Sequence, residues 1–308
     1  MNLREAGEDR LLDQLLPMLP HNREVILGAG DDCAIVKSGN SDKLQLLKTD
    51  CLVEEIHFEK NAPPESVGWK AMARPLSDFA AMSGVPQFGL VTLVVPSRTT
   101  VAWIKKLYRG IGKAARAFGV AIVGGETSRT EGTVVISITV TGFVEKGRWV
   151  SRAGGKANDE IFVTGRLGGS LRGAHLKFVP RIVESRWLTQ NFRIHAMMDL
   201  SDGLGADLPR LARASKVGFE IDQEKLPLNP GCTIRQAISD GEDYELLFAI
   251  APKDSRLLPS RWARKFPNVP LTRIGRLNRE SARSASRSDA GGSKIENRKL
   301  PRGYVHFR

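Results

Sequence analysis

Cysteine is scarce in this chain of 308 residues. Cys33, Cys51 and Cys232 are far apart and form no CxxC pair. That argues against a disulfide framework or a thiolate zinc site and predicts a reducing, cytoplasmic setting. Long apolar runs are missing too. The longest near-apolar stretch, Phe88 to Pro96, is too short to span a bilayer, and Met1 to Arg10 lacks the apolar core of a secretory leader. The usual nucleotide signatures are absent: no GxxxxGK[ST] loop, no HRD or DFG set, no GxGxxG opening a βα unit. A bound nucleotide would have to be held another way. No RRM, KH or zinc-finger signature occurs.

Charge is present in one sign more than the other. The formal net charge is +12, but residues 273–308 alone carry ten Lys or Arg against three Asp or Glu, an excess of seven. The rest is only modestly basic, while its motifs are acidic. That distribution predicts a protein that meets phosphates through metal ions rather than one that tracks a nucleic-acid backbone.

Those motifs begin at Leu27-Gly28-Ala29-Gly30-Asp31-Asp32-Cys33. Gly and Asp are ordinary turn residues, so alone this is a surface turn. Five more acidic clusters follow beside Gly, Ser or Thr: Thr49-Asp50, Ser77-Asp78, Gly124-Gly125-Glu126-Thr127, Asp199-Leu200-Ser201-Asp202-Gly203 and Gly241-Glu242-Asp243. Magnesium takes oxygen ligands, usually one or two carboxylates plus substrate phosphates. Several ions around a polyphosphate therefore call for several separate carboxylates. Phosphoryl transfer asks the protein mainly to position the reactants and neutralise charge.

Periodicity predicts an α/β (α+β) chain in two halves, residues 1–148 and 149–308. Helices are expected over Glu8 to Leu16, Pro63 to Met82 and Thr99 to Phe118. Strands are expected over Leu44 to Cys51, Phe88 to Val95, Gly119 to Gly124 (as a buried strand) and Thr133 to Val144. The second half opens at Asp159 to Thr164. It continues with a helix from Leu200 to Ala214, strands at Lys216 to Ile221, Tyr244 to Ile250 and Leu271 to Leu277, and a helix from Ser255 to Phe266. Ser281 to Ser293 reads as a solvated loop.

The ordered set of motifs resembles the thiamine-monophosphate kinase family. Gly30-Asp31-Asp32, Thr49-Asp50 with His57-Phe58, Leu76 to Gly84, Gly124 to Thr127, Ser151-Arg152-Ala153-Gly154, Asp199 to Leu204 and Gly241 to Leu246 carry it. It runs from about Leu27 to Tyr304. The resemblance implies an aminoimidazole ribonucleotide synthetase-like fold, with N-terminal-domain strands forming a homodimer. It implies direct transfer of the γ-phosphate of ATP to thiamine monophosphate, with several Mg2+ ions and no covalent enzyme intermediate. Metal roles fall on Asp32, Thr49, Asp50, Asp78, Glu126, Asp199 and Asp202. Tyr108, Gly125, Glu126, Arg152 and Ser201 would meet ATP, and His57, Glu242 and Tyr304 would meet thiamine monophosphate. Membrane and nucleic acid are not expected partners.

Three places depart from the family pattern. Glu126 stands where relatives usually have Asp or Asn, Lys48 where they often have a small hydroxyl residue, and the 168–181 stretch is shortened. Plainer readings stand beside these. Asp78 could be a solvated helix residue, Ser201-Asp202 a helix cap and His57 a structural histidine. Another synthetase on the same architecture, or a non-catalytic nucleotide- or nucleic-acid-binding homologue, is the alternative function.

Overall fold

The computed structural model describes residues 2, 5, 7–39, 42–279 and 294–296. The Ser281–Ser293 loop and the Gly303–Phe307 segment with Tyr304 lie outside them. The first half runs α1 (Glu8–Leu15), β1 (Val25–Leu27), β2 (Ala34–Lys37), β3 (Lys43–Val53), α2 (Pro64–Ala81), β4 (Val85–Pro96), α3 (Val101–Ala117), β5 (Ala121–Thr130) and β6 (Val135–Glu145). The second runs β7 (Glu160–Thr164), α4 (Ile182–Asn191), β8 (Ile194–Asp199), α5 (Leu204–Ser215), β9 (Gly218–Asp222) and α6 (Ile234–Ser239). It ends with β10 (Leu246–Ile250), α7 (Pro252–Ser255), α8 (Leu258–Lys265), β11 (Leu271–Asn278) and β12 (Lys294–Glu296).

Each half builds one six-stranded sheet, in the orders β1-β2-β3-β6-β4-β5 and β12-β9-β11-β7-β10-β8. Within the first, only β4 and β5 pair in parallel. Strict alternation along β6 buries Ile136, Ile138, Val140 and Val144 on one face. That face packs on α2 and α3 through Val67, Met72, Leu76, Phe79, Leu107 and Ile111. Among the described residues the other face is left uncovered.

β5 corrects the expectation of a buried strand. It is the edge strand, and every residue from Ala121 to Arg129 is exposed. A run of small and apolar residues cannot by itself say whether a neighbour covers it.

The second sheet is buried on both faces. One face meets α5 through Leu204, Leu208 and Leu211, and the other meets Leu188 of α4 and Trp262 of α8. The two halves join over α2. This helix starts on Pro64, whose ring suits the first helical turn. It buries 13 of its 18 residues, because it packs on the first sheet and also reaches the second core with Ala80.

Candidate active site

A helix so enclosed should be apolar all round. α2 is not. Lys70, Arg74, Ser77 and Asp78 follow at four-, three- and one-residue steps, which line one helix face. That face forms the floor of the site.

At its far end Asp78 meets Asp32 and Asp199. One carboxylate oxygen from each lies within 4.8 Å of the others, and all three residues are buried. Asp32 comes from the turn before β2 and Asp199 from the end of β8. Ser77 Oγ donates to Asp199 Oδ2 (2.5 Å), and Arg152 Nε donates to Asp32 Oδ1 (3.1 Å). Lys48 Nζ lies 2.8 Å from Asp78. Burial pushes the Asp78 carboxyl well above the usual range, with Asp199, Asp50 and Asp32 adding to it and Lys48 opposing. Burial and the Asp32 charge push Asp199 up to about 6. Asp31, whose carboxylate accepts the Arg152 backbone N–H (3.1 Å), is pushed to about 6 by burial and Asp32. Asp32 Oδ2 is buried with no hydrogen-bond partner. An orphaned buried carboxylate oxygen among repelling carboxylates fits a cation.

One helical turn back, Arg74 donates to the Cys51 carbonyl (2.9 Å) and pairs with Asp50 (3.2 Å). It lines a cavity of about 260 Å3 with His57, His175, Ser201, Asp202, Glu242 and Tyr244 among its walls. At the start of the face Lys70 is fully buried. Its ammonium donates to the His57 carbonyl (2.6 Å) and to both Glu242 oxygens (2.8 and 2.7 Å). His175 Nδ1 lies 2.7 Å from the same ammonium and 2.8 Å from Glu242. Burial works against the Glu242 carboxylate, but His175 and Lys70 outweigh it and hold its pKa at about 2. Burial draws Lys70 down to about 8 despite Glu242. Glu242 and Tyr244 adopt left-handed backbone (φ 56° and 51°). Such conformations concentrate at functional sites.

The shortened 168–181 stretch closes this end. It forms two single turns, Ser170–Arg172 and Ala174–Leu176. Phe178 then stacks on Tyr244 with centroids 3.8 Å apart, its carbonyl accepts from Trp69 Nε1 (2.7 Å), and Arg181 pairs with Glu245.

The structure thus brings together Asp32, Asp78, Asp199 and Arg152, with Asp50 beside them. His57, Ser201, Asp202 and Glu242 share the adjoining cavity. His57 Nδ1 accepts the Val53 N–H (3.0 Å), and Asp202 pairs with Arg210. Ser201 and Asp202 do not cap α5: Gly203 is its N-cap, with no side chain to offer.

Four expected residues stand apart from the triad. The Thr49 hydroxyl bonds Ser137 and Thr139, on the sheet face opposite Asp50. Glu126 pairs with Thr92, Thr92 with Ser137 and Ser137 with Cys51, so Glu126 lies three strands, ~14 Å at normal strand spacing, from Cys51. Gly125 shares that edge strand. Tyr108 is 39% exposed on α3. Lys70, Arg74 and His175 were not among the expected site residues. The signal for the first two was present, as a polar stripe at helical spacing in an otherwise apolar segment.

Two family comparisons define the class. The N-terminal domain family of AIR synthase related proteins matches residues 30–144, and the C-terminal domain family matches residues 131–282. The chain is therefore a two-domain AIR synthase related protein. Thiamine-monophosphate kinase of Rhodopirellula baltica is 38% identical over 92% of this chain and 92% of its own length. That of Aquifex aeolicus is 34% identical over the whole of both. The structure of AaThiL complexed with AMPPCP and TMP superposes with a TM-score of 0.79 at 33% identity, covering 91% of this chain and 94% of that one. The chain belongs to the thiamine-monophosphate kinase family, and it is an enzyme of the kinase class. Among the described residues no helix is long and apolar enough to cross a membrane.

Proposed function

We propose that this enzyme transfers the γ-phosphoryl group of ATP to the phosphate of thiamine monophosphate by in-line displacement, releasing ADP and thiamine diphosphate. The observation that carries this reading is the buried Asp32–Asp78–Asp199 triad, with an orphaned oxygen on Asp32, beside a cavity walled by an ionised Glu242. These donors suit Mg2+: hard oxygen ligands, with Asp50 and Asp202 nearby for further ions. Bound there, magnesium would neutralise the charge on the phosphates. The chain's own groups do the rest. Arg152, held by Asp32, faces phosphate oxygens. Arg74 places a guanidinium between the cavity and Asp50. Lys70 keeps Glu242 charged and fixed toward the organic part of the acceptor, and Tyr244 is held rigid by its stack on Phe178.

The uncovered face of the first sheet supports a homodimer built from N-terminal-domain strands. Phe88 and Leu90 are exposed on that face of β4, and Val123 is exposed on the edge strand β5; contiguous exposed apolar residues mark interaction surfaces. Gly125 and Glu126 lie on that edge strand and Tyr108 is exposed on α3, so their assignment to nucleotide or metal rests on the assembled dimer. Residues 1–148 are assigned as the ATP, magnesium and dimerisation domain, and 149–308 as the C-terminal αβ domain. The last strand of the first sheet ends at Glu145, and the second sheet begins at Glu160.

A coupled ADP-release assay with thiamine monophosphate and magnesium tests the reading. ADP release that requires both supports it. No acceptor-dependent release, with salt-sensitive binding of random oligonucleotides instead, would favour a binding protein.

A further inference from the structure

Lys48 is on β3, which is held between β2 and β6. Strand alternation puts its side chain on the same face as Asp50, the face covered by α2. The side chain is 23% exposed, and its ammonium lies 2.8 Å from Asp78. A fixed positive charge therefore projects from inside the sheet into the convergence of three carboxylates. The neighbouring acids are matched in the same way, Asp32 by Arg152 and Asp50 by Arg74.

An ammonium and a divalent ion cannot share one buried carboxylate without strong repulsion at such short range. Arg152 belongs to the loop before β7 and is placed where it could turn to a phosphate. Lys48 starts from a central strand, whose backbone is held by hydrogen bonds to β2 and β6. An ammonium also carries three donors, more than the Asp78 contact needs.

We propose that Lys48 is a built-in cation of the acidic face: at Asp78 it fills one position that a divalent ion would otherwise take, and it offers its remaining N–H groups to the phosphate oxygens bound there. Its role toward phosphate rests on the kinase reading above. Its effect on the number of ions bound does not.

The test is to count bound Mn2+ on the full-length protein, by calorimetry and by electron paramagnetic resonance, with and without a non-hydrolysable ATP analogue. No turnover is needed. Lys48→Ala is expected to bind a further Mn2+ per chain, and Lys48→Arg the same number as the parent. If Lys48→Ala does not fold, Lys48→Gln keeps the length, removes the charge and is expected to gain the same ion. An unchanged ion count and affinity in a neutral variant with parental circular dichroism would overturn the proposal. In that case Lys48 is only a salt bridge that yields when metal binds. Failure of the parent to release ADP with thiamine monophosphate would sink the kinase reading and leave the ion count standing.

Discussion

Asp199 accepts the Ser77 hydroxyl and has its carboxyl pushed up to about 6 by burial and Asp32. Asn in its place keeps the shape and an acceptor while removing one repelling charge. Asp199→Asn should lower turnover by roughly 10²-fold, the scale of losing one preorganised electrostatic contact. The melting temperature should hold or rise. Turnover equal to the parent's at limiting magnesium would remove Asp199 from the site. Lys70 predicts the opposite pairing of effects. It is fully buried and holds Glu242 from across the domain boundary, so Lys70→Met leaves the carboxylate with His175 alone beside it. Removing one partner of a buried pair costs about 3–5 kcal/mol. Denaturant unfolding should show a loss of that order, and the KM for thiamine monophosphate should rise with the KM for ATP nearly unchanged. Equal rises in both would mean that Lys70 only supports the fold. Strand alternation already put the Thr49 hydroxyl on the face away from Asp50, a reading that motif matching passed over.

At the scale of elements, α2 and α3 cross closely enough for backbone to touch backbone. A Cβ on Gly110 would lie 1.9 Å from the Glu65 carbonyl oxygen, and one on Gly68 would lie 2.0 Å from that of Leu107. Backbone cannot yield as a side-chain tip can. Gly110→Ala should therefore cost about 1–3 kcal/mol, the usual range for an overpacked core, read as a lower denaturation midpoint. An unchanged midpoint would show that the helices separate freely. Since α2 carries Lys70, Arg74, Ser77 and Asp78, any shift of the crossing should also lower activity. The two long helices were legible from their apolar spacing to within two residues at each end. The exposure of β5 was not, because it depends on which strand stops at the sheet edge.

The whole molecule is tied across its two halves by charge as well as by packing. Glu145, at the end of β6, takes a two-pronged pair from Arg186 on α4 (2.6 and 2.7 Å). Those hydrogen bonds hold the Glu145 carboxyl at about 2, below its ordinary 4.5. A carboxyl with a depressed pKa contributes stability that is complete above the unfolded value and is lost as pH falls through the folded one. The contribution should therefore fade between about pH 4.5 and about pH 2. Over that window the parent should lose melting temperature more steeply than Glu145→Gln. Parallel curves would show that the pair contributes nothing. Glu242, held at about 2 by His175 and Lys70, should add to the same acid lability. The uncovered sheet face makes a separate prediction. The parent should run as a dimer in light scattering, and Leu90→Asp should shift it toward monomer. A monomeric parent would withdraw the dimer and, with it, the roles of Tyr108, Gly125 and Glu126 at the nucleotide.

By itself the sequence determined the chemistry: six acidic clusters in a fixed order, two αβ halves, and no P-loop to hold a nucleotide. Carboxylates beside Gly and Ser can be read locally because turn geometry and charge are local properties. Tertiary structure alone decided which of them meet. Asp32, Asp78 and Asp199 converge from a turn, a helix and a strand end that are far apart in the chain. Lys48 and Arg74 reach the same face from β3 and α2. Thr49 is turned to the opposite face of the sheet, and Glu126 is carried to its far edge. Strand order and helix docking fix those distances. Both follow from which apolar surfaces bury one another, which is a property of the folded chain and not of any single motif.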